Sequence, residues 1–271
     1  MRGTSAASLA DVLSRTEDVV ARSSQSMEEL ASELFQIAAA VDTSNQLVRL
    51  LSDPGRDPEL KSTAVRTLIQ GKASDEALEL TEEVVRRPWS EQNHILDALE
   101  AAGASALLSQ AEKAGRLETV EEELFQFSRL IDSEPELTAA FDEHRDDAGA
   151  RRSIARRLLE GRVDPVTVAL AVQAVGADAE MKASRRVLHF AEFAADRRRR
   201  LLAVVTSATE LSDRQQSRLS EILAAKFGQS VQMNFEVSPD VIGGMRVQVG
   251  DDLYDATVLS RLTEARSRLS A

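Results

Sequence analysis

From about residue 5 to residue 200, apolar side chains recur at spacings of three and four, the period of an amphipathic helix. Leu30, Leu34, Ile37 and Val41 form one such stripe. Val120, Leu124, Phe127 and Ile131 form another with the same spacing. The period changes near residue 201, where residues 201–205 make a short apolar run that predicts a strand. Residues 231–237 alternate strictly, with Val231, Met233, Phe235 and Val237 on one side, and residues 245–250 alternate again. Between these two strands, Ser238, Pro239 and Asp240 break the ladder, since proline has no donor for it. Val241, Ile242, Gly243 and Gly244 then predict a bend, because paired glycines reach backbone angles that other residues avoid. Past Asp251 to Asp255 the chain is expected to turn into a helix, with Val258, Leu262 and Leu269 along one side and Arg261, Arg266 and Arg268 elsewhere. The expected fold is mainly α: two related helical bundles followed by a small α/β C-terminal domain in the order strand, helix, strand, strand, helix.

The two helical parts are related because Glu33, Leu34, Phe35 and Gln36 recur as Glu123, Leu124, Phe125 and Gln126, an offset of 90 residues. At that offset Asp42 matches Asp132, Leu47 matches Leu137, Asp57 matches Asp147, Arg66 matches Arg156, Leu68 matches Leu158 and Gly71 matches Gly161. No gap is needed across about forty positions, which identifies an internal duplication. Helix ends agree. Ser26 with Glu29, and Ser212 with Gln215, have the spacing of capping boxes. Asp57-Pro58 and Asp164-Pro165 place a capping acid before a proline at the first helical position, and Gly71 and Gly161 close the preceding helices. A helix opened by Ser212 is expected to hold Leu219, Ile222 and Leu223 inside and to end at Gly228. Pro88 and Gly103, read as a helix breaker, mark the joint. The expected domains are 1–92, 93–200 and 201–271.

The order strand, Pro239, Ile242-Gly243-Gly244, strand, Val249-Gly250, Asp255 and a helix carrying Arg261-Leu262 resembles the C-terminal signature of the delta subunit of the F-type ATP synthase, the oligomycin-sensitivity-conferring protein family. The segment Val205-Thr206-Ser207-Ala208 resembles another part of that pattern. The ordinary family member resembles this chain from about residue 95 onward. The extra first copy is similar to the extended form of high-GC Gram-positive bacteria. The resemblance implies a stator, or peripheral stalk, subunit without catalysis or cofactor. Its helical domain is expected to grip the N-terminal helices of the alpha subunits of the catalytic head. Its C-terminal domain is expected to hold a b-type subunit of the peripheral stalk, a separate chain, at the cytoplasmic face of the cell membrane. Rotor torque then drives ATP synthesis. Val231, Met233, Phe235, Met245, Val247 and Leu259, with Ile242, Val258 and Leu262, are either the stalk-binding face or the core of the small domain.

Composition narrows the rivals. The chain has 271 residues, 43% of them hydrophobic and only 4% aromatic, so its cores are built from Ala, Leu, Val and Ile, which suits packed helices. A net charge of −12 argues against nucleic-acid binding, which needs clustered positive charge. Lysine stands only at Lys61, Lys72, Lys113, Lys182 and Lys226; the remaining positive charge is arginine, a bias expected from the coding preference of the source. The absence of cysteine removes disulfides and thiolate chemistry. No apolar run reaches the length of a bilayer span, so no direct membrane insertion is expected.

Candidate chemistry is thin. His94, His144 and His189 share no metal-ligand spacing, and no phosphate-binding glycine loop is present. Glu121-Glu122-Glu123 and Asp146-Asp147 read as solvated helix faces and starts. Arg197 to Arg200 are either a solvated end of the second copy, with long stems covering apolar neighbours, or a salt-sensitive contact with an acidic neighbour. A duplicated helical adaptor unrelated to ATP synthase would share the helical part but not the 231–262 pattern, and an enzyme would need a convergent polar site that the sequence does not display.

Overall fold

The computed structural model describes residues 1, 3–142, 148–177, 181–200, 202–227, 231–239, 241–249 and 252–255. They fall into two compact units, Met1–Ala191 and Glu192–Ala271.

The first unit is helical, and its elements repeat almost residue for residue. The helices are α1 (Thr4–Arg22), α2 (Met27–Asp42), α3 (Asn45–Ser52), α4 (Pro58–Ile69), α5 (Asp75–Arg86), α6 (His94–Lys113), α7 (Leu117–Ser133), α8 (Pro135–Asp142), α9 (Ala148–Leu159), α10 (Pro165–Gly176) and the start of α11 (Ala183–Arg200), whose residues from Glu192 on count with the second unit. Moved by 90 residues, α3, α4 and α5 coincide with α8, α9 and α10, and α2 coincides with α7 to within one residue. The same shift carries α1 onto α6 and α6 onto the start of α11. Helix α6 therefore serves twice, as the sixth helix of the first set and the first helix of the second.

That double role explains its composition. Every residue from Ala102 to Ser109 is buried, and the sequence there is Ala, Gly, Ser and Leu with no charge. A helix apolar all round is one that is covered all round. Gly103, expected to break a helix, lies inside α6. Its role is close approach: a Cβ there would lie 2.6 Å from the Phe35 ring of α2. The stripe of α2 (Leu30, Leu34, Ile37, Val41) and that of α7 (Val120, Leu124, Phe127, Ile131) are both buried, as the spacing of three and four requires.

The caps are mixed. Asp57 accepts from the Glu59 amide at 2.8 Å and Asp164 from the Val166 amide at 2.9 Å, each with proline in the first turn. Gly71 and Gly161 stand at φ 75° and 73°, the left-handed stop expected at both. Ser26 does occupy the N-cap of α2, but its side chain makes no capping bond, so the first box is not formed. In the second box the Ser212 amide donates to Gln215 at 2.9 Å, and the Ser212 hydroxyl donates to the same oxygen at 2.7 Å instead of accepting from the helix. The Asp57–Asp147 match and Asp146 fall outside the described residues on their second member.

In the second unit, β1 (Leu202–Ser207), β2 (Gln232–Val237), β3 (Met245–Val249) and β4 (Asp252–Asp255) form one sheet in the order β2-β1-β3-β4, with α12 (Asp213–Phe227) between β1 and β2. The β1–β2 pair is parallel, joined through α12, and the other two pairs are antiparallel. Ala203, Val205, Val231, Val247, Val249 and Leu223 make the core. Two expectations change. Residues 252–255 add a fourth strand where a turn into a helix was expected, because they pair antiparallel with residues 246–249 of β3. Ile222, expected inside with Leu219 and Leu223, is 53% exposed; the narrow sheet is covered by the side of α12 that carries Leu223. The expected last helix, with Val258, Leu259, Arg261, Leu262, Arg266, Arg268 and Leu269, lies outside the described residues, as do Gly228 and Gly250.

Two substitutions test these packing arguments. Gly103→Ala should lower the stability of the helical unit by about 1–3 kcal/mol, because the overpacking against Phe35 outweighs the gain in helix propensity; urea unfolding measures it, and an unchanged or raised midpoint would contradict the close-approach reading. Gly243 and Gly244 sit at φ 70° and 81°. Gly243→Val should cost about 1–3 kcal/mol and loosen the β2–β3 connection, read as early loss of sheet signal on heating; an unaltered melting curve would remove the turn argument.

Candidate functional site

The helical unit spends its polar groups on holding helices together, and it does so by one repeated device. Glu33 of α2 accepts from the backbone N–H of Ser74, the N-cap of α5, at 3.2 Å, and from the Ser74 hydroxyl. Ninety residues on, Glu123 of α7 accepts from the N–H of Asp164, the N-cap of α10, at 2.9 Å, and from the Thr167 hydroxyl at 2.6 Å. In both sets a carboxylate on the second helix satisfies an orphan donor at the start of the fifth, where the helix dipole also favours negative charge. Glu123 was expected on a solvated face; it is instead half-buried in this clamp. The sequence displayed both glutamates within the repeat, but only the fold brings the two N-caps to them.

Around this shared frame the copies differ in chemistry. Helix α5 carries Glu76, Glu79, Glu82 and Glu83; the equivalent positions of α10 are Val166, Ala169, Val172 and Gln173. In the first set, Glu79 pairs with Arg15 at 2.7 Å and with Arg22, and Arg87 pairs with Asp11 at 2.6 Å and with Glu83. In the second set, the apolar α10 lies against α6. There the Gln173 amide donates to Glu100 of α6 at 2.9 Å. Burial pushes the Glu100 carboxyl above the usual carboxylate range, and nearby Asp97 pushes the same way, while the Gln173 bond, His189 and Arg186 oppose. A lone carboxylate in an alanine-rich stretch was the available signal for this residue.

Among the described residues no group of three or more His, Cys, Asp or Glu is placed to hold a metal ion. His94 is engaged locally, with Nδ1 2.9 Å from the Ser5 hydroxyl, which also accepts from the Ser90 amide at 2.8 Å. His144 lies outside the described residues. No described helix is long and apolar enough to cross a membrane. Of the arginine run, Arg199 pairs with Asp196 at 2.5 Å on an exposed turn.

In the small unit the signature residues separate by burial. Val231, Val247 and Val249 are buried, and Met233, Phe235 and Met245 pack partly buried against the same core. Asp255 pairs with Arg246 at 3.4 Å across β3–β4. Lys226 of α12 sits over the Tyr254 ring, 3.8 Å from its centroid. Pro239 and Gly244 are exposed, and Ile242 projects from the loop at 65% exposure, near Val237 in the chain at 54%. So the strand positions singled out in the sequence build the interior, while the apolar surface lies at Val237, Ile242, Ile222 and Leu253. Leu259, Arg261, Leu262 and Gly250 lie outside the described residues.

Comparison with known proteins adds the following. Residues 101–269 match the family model "ATP synthase delta (OSCP) subunit". The match begins inside α6, so it covers the second helical set from residue 101 onward and the small unit, and leaves α1 to α5 outside. The chain is 40% identical over 270 residues to the ATP synthase subunit delta of Beutenbergia cavernae, covering all of both chains. It is 35% identical over 270 residues to that of Thermobifida fusca, again covering both in full. It is 36% identical to that of Streptomyces coelicolor over 271 residues, covering all of this chain and 99% of the other.

The Glu100 environment yields a pH prediction. A carboxyl held more tightly protonated in the folded state loses stability as pH rises from its ordinary value, near 4.5, through its raised value. Glu100→Gln keeps a partner for Gln173 and removes the titration. It should raise the melting temperature at pH 7–8 and leave it nearly unchanged at pH 4; a variant less stable than the parent at pH 8 would contradict the desolvation account.

Proposed function

We propose a mechanical role from one premise: the chain belongs to the ATP synthase delta (OSCP) family. It is a peripheral stalk subunit of the F-type ATP synthase, part of a membrane-bound complex that is itself the enzyme. The finer reading is ours. The helical unit receives the amphipathic N-terminal helices of the alpha subunits of the catalytic head, and the small unit holds the end of a b-type stalk subunit. Held at both ends, the chain keeps the head from turning with the rotor, so that torque reaches the catalytic sites. It performs no chemistry itself and reaches the cytoplasmic face of the membrane only through its partners.

The observation that supports this reading most is that the family match runs continuously from within α6 through the rest of the second helical set and the small unit, the two parts such a link requires. Physical chemistry fits it. A helix laid between two apolar-striped helices gains affinity from buried apolar area, roughly 25 cal/mol per Å² before the costs of association.

Deletion of residues 201–271 tests the division of labour. The remaining chain should keep its helical circular dichroism and its affinity for the alpha–beta head, and should lose the stalk subunit in co-purification from membranes. Normal stalk binding by the truncated chain would overturn the assignment of that contact to the small unit.

A further inference from the structure

The two copies of the helical set treat one surface position in opposite ways. In the first set Arg66 of α4 makes a bidentate pair with Glu82 of α5, at 2.8 and 2.9 Å, and Arg86 adds contacts to Glu82 at 3.5 Å and to Glu59 at 3.4 Å. The network is closed: two guanidinium groups and two carboxylates. In the second set the arginine of α4 is kept as Arg156 of α9, and everything it would pair with is gone. Val172 stands where Glu82 stood, Gly149 where Glu59 stood and Gly176 where Arg86 stood. Thr67 is replaced by a further arginine, Arg157. Both arginines are exposed, and among the described residues neither side chain has an ion-pair or hydrogen-bond partner.

Arg156 and Arg157 are thus two adjacent guanidinium groups without a counter-charge among the described residues, on a chain of net charge −12. An arginine presents a planar fork that matches a carboxylate in two parallel bonds, and Arg66 shows that geometry already formed at the equivalent place. We propose that the α9 surface bearing Arg156 and Arg157 docks an acidic segment of a neighbouring protein subunit, whose carboxylates take the place that Glu82 and Glu59 fill in the first set. A lipid surface fits less well. The other exposed positions of α9 are Gly149, Ala150 and Ser153, which offer no large apolar side chain to enter a bilayer, and the exposed Glu160 just past the helix adds a negative charge. The neighbouring subunit is one of the synthase, so the inference rests on the stalk assignment above.

The test uses the intact synthase. With Arg156→Lys and Arg157→Lys in place, a water-soluble carbodiimide, which joins an amine only to a carboxylate in direct contact, should link α9 to an aspartate or glutamate of another subunit, located by mass spectrometry of the tryptic peptides. Arg156→Ser with Arg157→Ser, both on the surface, should leave the melting curve of the chain unchanged and release it from the complex at lower salt than the parent. An intact synthase with no link from these positions to another subunit overturns the inference. So does an unchanged release profile. Sedimentation of the isolated chain with vesicles of phosphatidylglycerol and phosphatidylcholine covers the remaining occupant: binding that the serine variant abolishes, without a link between subunits, would replace the acidic segment by a lipid surface. Absence of the parent chain from the isolated synthase would remove the stalk assignment and this inference together, whereas an intact, unlinked synthase removes only this one.

Discussion

The burial of α6 on every side through residues 102–109 constrains the helical unit more than any other feature. A helix shared by two sets has no solvent stripe there, so it carries no charge over that stretch. Hence Ala104, Ser105 and Leu108 stand where α1, its counterpart at the outer end, has Ser14, Arg15 and Asp18, all exposed. A repeat array needs a polar outer face on its terminal member to stay soluble, and α1 supplies it. The close approach of Phe35 to Gly103 follows from the same crowding.

Within that frame the copies kept the backbone device and diverged in how their faces are neutralised. The glutamate clamp on the N-cap of the fifth helix persists in both sets because it satisfies a backbone donor, whose position the fold dictates. The side chains of the fifth helices had no such obligation. Those of α5 became acidic partners for the arginines of α1 and α4; those of α10 became apolar and pack on α6. One consequence is a half-buried carboxylate, Glu100, which accepts a hydrogen bond from Gln173.

Much of this was legible in the sequence. The stripes of α2 and α7, the 90-residue offset, the two aspartate–proline starts and the two glycine stops all depend on interactions within a few residues, and local pattern reports those well. What was not legible depends on neighbours distant in the chain. Gly103 reads as a breaker in isolation and as a contact only when Phe35 is placed against it. Ser26 had the spacing of a capping box, yet spacing does not turn its hydroxyl toward the helix. Ile222 shares a stripe with Leu219 and Leu223, but a four-stranded sheet offers too little surface to cover all three. The residues 252–255 are short enough to read as a turn, and only pairing with β3 makes them a strand. Family resemblance was carried by an ordered string of strand, glycine and aspartate positions; burial then places most of those apolar residues in the interior, which a string cannot reveal.

A shared helix also means that no linker separates the two sets. Bundles joined by a flexible segment can tilt independently, at the cost only of loop entropy. Here any change of angle between them must bend α6 itself, a continuous hydrogen-bonded rod of twenty residues that is packed on all sides over residues 102–109. In a part that resists twisting load, such a joint has low compliance: elastic energy is stored in the deformation of close-packed side chains, and little displacement is lost between one end of the helical unit and the other.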